Sequence, residues 1–91
     1  MCTYTTIRAG ISGSAKGPGA GWMRVNDLTV YFDHPVHAME EHTVNIDVTD
    51  PARGPGARVA LELSPESARQ LCAAITAALD SAPAELTGAR D

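Results

Sequence analysis

The residues of this chain that are best suited to chemistry lie in one short stretch, Asp33-His34-Pro35-Val36-His37-Ala38-Met39-Glu40-Glu41-His42, which holds all three histidines. A neutral imidazole is a common metal ligand, and histidine titrates near neutral pH, so it can also transfer protons. The carboxylates beside these histidines could complete either kind of site. The stretch therefore has to be weighed as a metal site, as an acid–base site and as a solvated loop.

The metal hypothesis joins the three histidines His34, His37 and His42 to the thiol of Cys2. Imidazole nitrogens and a thiolate are the usual ligands of a transition metal such as zinc, although this spacing matches no zinc motif. In the second hypothesis no metal is needed, because His34 or His37 acts as a general base that Asp33 orients. The third alternative is that the histidines are structural.

A small-molecule pocket could also form at this place. Tyr31 and Phe32 immediately precede the histidine stretch, and Glu41 lies within it. We therefore take Tyr31 and Glu41 as candidate ligand-binding residues. An enzyme of this kind would be a small isomerase, cyclase or lyase, whereas a binding protein would need only the pocket.

The size and charge of the chain narrow the classes of partner. Its 91 residues predict one small domain. The net charge of −4 argues against a nucleic-acid partner, which requires a basic patch. No apolar run approaches the roughly 20 residues that span a bilayer. The N-terminal residues lack the pattern of a signal peptide, so we expect a cytoplasmic protein in which Cys2 and Cys72 are free thiols.

Hydrophobic periodicity predicts four strands and one helix. Alternating apolar residues favour strands over residues 3–12, 22–32, 43–49 and 58–63. Ser64-Pro65-Glu66 is typical of a helix start, and Pro83 prevents the helix from extending past residues 79–81. We expect a single domain over residues 1–83 and a loose tail over 84–91.

The second predicted strand contains a change of phase. Met23 and Val25 alternate in one phase, whereas Leu28, Val30 and Phe32 alternate in the other. The change falls at Asn26-Asp27, where we predict a β-bulge. A turn at Asn26-Asp27 is the alternative, and it would split the strand into two.

Two copies of Gly-Pro-Gly, at residues 17–19 and 54–56, lie between predicted strands and have the composition of hairpin turns. The fold predicted is therefore α+β: a four-stranded antiparallel meander (ββββα) with the C-terminal helix packed on one face. In that topology the histidine stretch lies at the opposite end of the sheet from both turns. The same end holds Cys2 and the start of the helix.

The helix presents an apolar stripe of Ala68, Leu71, Cys72, Ile75 and Leu79, which we expect to be buried against the sheet. One helix cannot cover both faces of the sheet. The other face, rich in Thr, Asn, Asp, Glu and Arg, would be left open. We expect a homodimer, and an accessory protein that uses this open face as its interface is a further alternative.

Several segments together resemble a family of short, uncharacterised actinobacterial proteins. These segments are Met1-Cys2-Thr3-Tyr4, Val30-Tyr31-Phe32-Asp33-His34-Pro35-Val36-His37-Ala38, Glu41-His42-Thr43, Pro51-Ala52-Arg53-Gly54-Pro55 and Arg58-Val59-Ala60-Leu61-Glu62-Leu63. The resemblance covers nearly the whole chain and implies a bacterial, cytoplasmic setting. The family has no established activity, so the resemblance assigns no catalytic residue.

Overall fold

Four antiparallel strands followed by a helix make up the fold, which confirms the predicted α+β meander. The structure, a computed structural model, describes residues 4–17, 21–54 and 56–88. The strands pair in chain order and are β1 (Thr5–Lys16), β2 (Trp22–Asp33), β3 (Thr43–Thr49) and β4 (Arg58–Leu63). A short 3-10 turn, Pro51–Arg53, precedes β4, and α1 (Pro65–Ser81) and α2 (Ala84–Thr87) follow it.

The strand register sorts the side chains onto two chemically different faces, because alternate residues of a strand point to opposite sides. What we call the apolar face carries the paired rows Ile7–Val30–Ile46–Leu61, Ala9–Leu28–Val48–Val59 and Thr5–Phe32–Val44–Leu63. What we call the polar face carries Arg8–Thr29–Asp47–Ala60, Thr6–Tyr31–Asn45–Glu62 and Gly10–Asp27–Thr49–Arg58. The alternation seen in the sequence is therefore kept within these rows, which cover residues 5–10, 27–32, 44–49 and 58–63.

The predicted irregularity in the second strand is real, but the extra residue belongs to β1. Gly10 pairs with Asp27 and Gly13 pairs with Val25, so β1 advances three residues where β2 advances two. The prediction of a bulge within Asn26-Asp27 is thus corrected, and the alternative of a turn there is excluded because β2 is continuous. A bulge adds local twist. A methyl group at the Cβ position of Gly17 would lie 3.9 Å from Val59 Cγ2, so the end of the β1–β2 hairpin reaches β4.

Both Gly-Pro-Gly segments connect neighbouring antiparallel strands, as predicted. Pro18, Gly19 and Pro55 themselves lie outside the described residues. In the second connection the backbone amide of Asp50 donates to the carbonyl of Ala57 at 3.1 Å. Gly54 has φ 93°, in the region that favours glycine.

The start of α1 is the one that its sequence predicts. Ser64 is the N-cap, its Oγ accepts a 3.1 Å hydrogen bond from the backbone amide of Ser67, and Pro65 occupies the first turn. The predicted tail contains one turn of helix, α2, which is followed by Gly88 in the left-handed conformation. Within the described part of the chain, no helix has both the length and the apolar character needed to cross a membrane.

The packing of α1 on the sheet is much lighter than expected. The helix contacts β3 and β4, and its residues Pro65, Ala68 and Leu71 are half-buried. From residue 72 to residue 81 every side chain is exposed, and none of the residues Pro65–Ser81 is fully buried. The expectation that Cys72 is a buried small hydrophobe is therefore corrected: its thiol is free and exposed, because this half of the helix stands clear of the sheet.

Candidate functional site

The connection between β2 and β3, residues 34–42, is held against β4 by a single carboxylate. Glu62 Oε2 accepts a 2.6 Å hydrogen bond from the backbone amide of Val36. Glu62 Oε1 accepts bonds from the amides of His37 at 2.9 Å and Ala38 at 2.8 Å. We call this arrangement the Glu62 clasp. It fixes the path of the histidine-containing loop over the polar face.

The clasp also changes the acidity of Glu62. Hydrogen bonds from the amides of Val36 and Ala38 lower the pKa of its carboxyl below the ordinary value, because they stabilise the ionised form. Desolvation opposes this shift, whereas the amide and charge of His37 add to it. The strand register places Glu62 in one row with Tyr31, three residues before the loop begins, so the clasp can be located once the register is known.

A groove lies on the polar face beneath the clasped loop, with a volume of about 960 Å³. This volume falls within the range of small-molecule sites, about 300–1,000 Å³. The strands β2, β3 and β4 supply most of its lining, and the loop supplies the remainder. The lining residues are Tyr31, Asp33, His34, Val36, His37, Ala38, Asn45, Asp47, Arg58, Ala60, Leu61 and Glu62.

An ion pair and a phenol occupy one part of the groove. Arg58 Nη2 donates to Asp47 Oδ1 at 3.0 Å, and this bond raises the pKa of Arg58 above its usual value. Burial raises the pKa of Tyr31, and the charge of Asp47 adds to the effect. Tyr31 therefore keeps its proton at neutral pH and presents a hydroxyl that can donate or accept.

A buried polar pair lies beside the groove. The Thr43 hydroxyl donates a 2.6 Å hydrogen bond to Asn45 Oδ1, and both residues are buried. Asn45 lines the groove, so this bond fixes the orientation of an amide that a ligand would meet. Buried polar groups in proteins are almost always paired in this way.

Two of the three histidines come together at the end of the sheet. The ring centroids of His34 and His42 are 4.4 Å apart. The His42 ring stacks on Phe32 at 5.7 Å, and Tyr4 completes the aromatic cluster at 5.6 Å from His42. His34 Nδ1 lies 3.2 Å from the carbonyl oxygen of Glu41, and because a carbonyl oxygen only accepts, Nδ1 is the donor in this contact.

The third histidine, His37, follows a different path because the Glu62 clasp draws its backbone towards β4. It lines the groove together with His34 and Tyr31. Glu41 interacts with His34 through its backbone carbonyl, and Cys2 lies outside the described residues. Of the residues proposed from the sequence, the groove therefore gathers Tyr31, Asp33, His34 and His37.

The predicted roles of Asp33 and of the metal ligands stay predictions. Asp33 Oδ1 accepts a 2.7 Å bond from the backbone amide of His34, which shapes the start of the loop. Among residues 4–17, 21–54 and 56–88, no three His, Cys, Asp or Glu side chains come close enough together to hold a metal ion. A metal site at this end would therefore need Cys2 as well as His34 and His42.

Comparison with known proteins identifies a family. The model of a family of unknown function, DUF6295, matches residues 1–88. The chain belongs to DUF6295. No curated protein and no solved structure matches the chain. Membership in DUF6295 supports the predicted resemblance to an uncharacterised family. Because the function of the family is unknown, membership assigns no activity to the residues of the groove.

Proposed function

We propose that this DUF6295 protein binds a small organic cation in the groove on the polar face. The observation that carries the proposal is the charge of the lining: three carboxylates, Asp33, Asp47 and Glu62, face one guanidinium, that of Arg58. Glu62 is engaged with loop amides and Asp47 with Arg58. Asp33 accepts from the backbone amide of His34, and backbone amides carry no charge that would cancel a carboxylate. The three carboxylates and one guanidinium leave a net negative charge, which favours a ligand with a positive charge because opposite charges attract more strongly where water is partly excluded.

The uncharged groups of the groove fit the same kind of ligand. The hydroxyl of Tyr31 and the amide of Asn45 can form directional hydrogen bonds, and Val36, Ala38 and Ala60 provide apolar contact. A few polar groups within a mixed apolar lining is the usual composition of a ligand site. An amine or guanidine attached to a short carbon chain has the matching chemistry.

The proposal is tested by titrating agmatine and putrescine into isotopically labelled protein and following the amide resonances by NMR. We expect shifts that saturate at Asn45 and Ala60, whereas acetate and inorganic phosphate leave these resonances unchanged. Asp47→Asn should weaken agmatine binding about tenfold, the effect of losing one favourable charge contact of about 1.4 kcal/mol. Asp80→Asn makes the same change on an exposed helix residue and should leave binding unchanged. Equal binding of anions and cations would contradict the proposal.

A zinc site is a second candidate, supported by the 4.4 Å separation of the His34 and His42 rings. The bond between His34 Nδ1 and the Glu41 carbonyl would orient Nε2 towards a metal, as in many metal sites. We expect stoichiometric zinc in protein purified without a histidine tag if Cys2 completes the site, and His42→Ala should abolish it. Elemental analysis by mass spectrometry measures the metal, with His37→Ala as the matched control. Protein that is free of metal after growth with zinc would refute this candidate.

We propose an actinobacterial, cytoplasmic setting for this activity. The high content of alanine and arginine supports a source with GC-rich coding sequence. The free, exposed thiol of Cys72 fits a reducing compartment.

A further inference from the structure

Among residues 4–17, 21–54 and 56–88, large apolar side chains stay exposed both along α1 and on the apolar face of the sheet. The apolar stripe of α1 includes Leu71, which is half-buried. It continues along the helix as Ile75 and Leu79, which are 52% and 55% exposed. On the apolar face of the sheet, Ile7 is 61% exposed and Leu61 is 45% exposed. Large apolar surfaces of this kind usually mark an interaction site.

The interior of a single chain is correspondingly small. Among the residues that the structure describes, Val25 and Ala57 are the only hydrophobic ones that are buried, whereas four polar residues are buried. The whole chain exposes 6657 Å², although a compact monomer of its mass of 9.5 kDa exposes about 5,000 Å². Its radius of gyration of 14.8 Å likewise exceeds the approximately 12 Å of a compact chain of this length.

We propose that the apolar face of the sheet and the exposed stripe of α1 form the interface of a homodimer. The two copies would be related by a two-fold axis, so that each contributes the same helix stripe and the same sheet face. The half of α1 that stands clear of its own sheet would then pack on the partner. This placement differs from the interface favoured by the sequence, because the polar face holds the charged groove.

The excess area supports a second copy as the occupant. The excess is about 1,600 Å² per chain, and a standard protein interface buries about 800 Å² on each partner. A chain whose described part buries only two hydrophobic residues needs cover whenever it is folded, and a second copy is always present where the chain is made. The net charge of −4 opposes docking on the phosphate groups of a membrane or a nucleic acid.

The first test is the mass and the thermal stability of the wild-type protein. Sedimentation equilibrium should give twice the chain mass of 9.5 kDa. The melting temperature should rise by about 3–5 °C for each tenfold increase in protein concentration, because association stabilises only the folded chains. A mass of one chain, together with a melting temperature independent of concentration, would overturn the proposal even if every variant failed to fold.

The second test locates the interface. Ile75→Glu places a charge on the exposed stripe and should weaken dimerisation at least about a hundredfold. Ala73→Glu places the same charge about 160° around the helix from Ile75 and should leave the dimer intact. A dimer that forms equally well in both variants would place the interface elsewhere and overturn the proposal. If Ile75→Glu unfolds the chain while Ala73→Glu behaves as wild type, the apolar side chain of Ile75 is needed for folding although it is exposed in a single chain. A dimer that buries Ile75 predicts this result.

Discussion

Replacing Glu62 with glutamine should release residues 36–38 from β4. The wild-type carboxylate accepts three backbone N–H groups through its two oxygens. A glutamine side chain keeps one acceptor oxygen, which is uncharged and therefore a weaker acceptor. Its NH₂ group would place a donor against the amide of Val36, so the side chain can no longer hold the three amides together. We expect the amides of residues 36–38 to exchange with solvent within about tenfold of the unfolded-chain rate. Hydrogen exchange followed by NMR measures this change residue by residue.

Glu40→Gln is the matched control for Glu62→Gln. It removes the same charge from an exposed position within the same loop. The control should leave exchange at residues 36–38 as in wild type, and the amides of β3 should stay protected in both variants. If the three loop amides keep their protection in Glu62→Gln, the clasp does not hold the loop in solution.

Acid should open the same clasp without any mutation. The pKa of Glu62 in the folded protein lies below its ordinary value. The ionised carboxylate therefore holds the loop fully when the pH is above the ordinary pKa of glutamate. This contribution of Glu62 is lost as the pH falls through the depressed, folded pKa. We therefore expect the amide shifts of residues 36–38 to titrate together, at a pH below the usual value for glutamate. A midpoint at or above that usual value would contradict the assignment.

Replacing Thr43 with valine should destabilise the protein by about 1–3 kcal/mol, the cost of leaving a buried polar atom unpaired. The substitution keeps the shape of the side chain and removes the hydroxyl that donates to Asn45 Oδ1. Thr43 is fully buried, so water cannot replace the lost donor without rearrangement. Valine favours strands at least as well as threonine, so strand propensity does not account for a loss.

Thr43→Ser is the comparison that separates the hydrogen bond from packing. Serine keeps the donor and loses one methyl group, a change worth about 0.8 kcal/mol. We expect the order of stability to be wild type, then serine, then valine, measured by urea denaturation at one fixed protein concentration. If the valine variant proves as stable as wild type, the buried bond between Thr43 and Asn45 contributes nothing to stability.

Local patterns predict most of this fold because they act over a few residues. Alternation placed β3 and β4 at their observed bounds, and Ser64-Pro65 placed the start of α1. The bulge was harder to place. The phase change is visible in β2, but the additional residue belongs to its partner strand, and a single strand does not reveal the pairing. The light packing of α1 could not be predicted from local patterns either. An apolar stripe indicates that a helix is buried, but it does not indicate which surface buries it.

The candidate site was predicted only in part, because sequence patterns are local and the site is built from distant segments. The sequence grouped three histidines by proximity along the chain, and His34 and His42 do meet. His37 turns away because Glu62, distant in sequence, binds the loop backbone. Backbone amides have no sequence signature, so the clasp and the groove beneath it appear only once strand register is known.

The bulge in β1 has a consequence for how copies of this protein can associate. As an edge strand, β1 presents unpaired backbone groups along its outer side, and such a strand can act as a template for adding further chains. The extra residue between Gly10 and Gly13 breaks the regular spacing of those groups. An incoming strand could match one side of the break or the other, but not both. The bulge therefore disfavours regular edge-to-edge pairing along β1, which is one of the ways in which sheet proteins avoid growing into fibres.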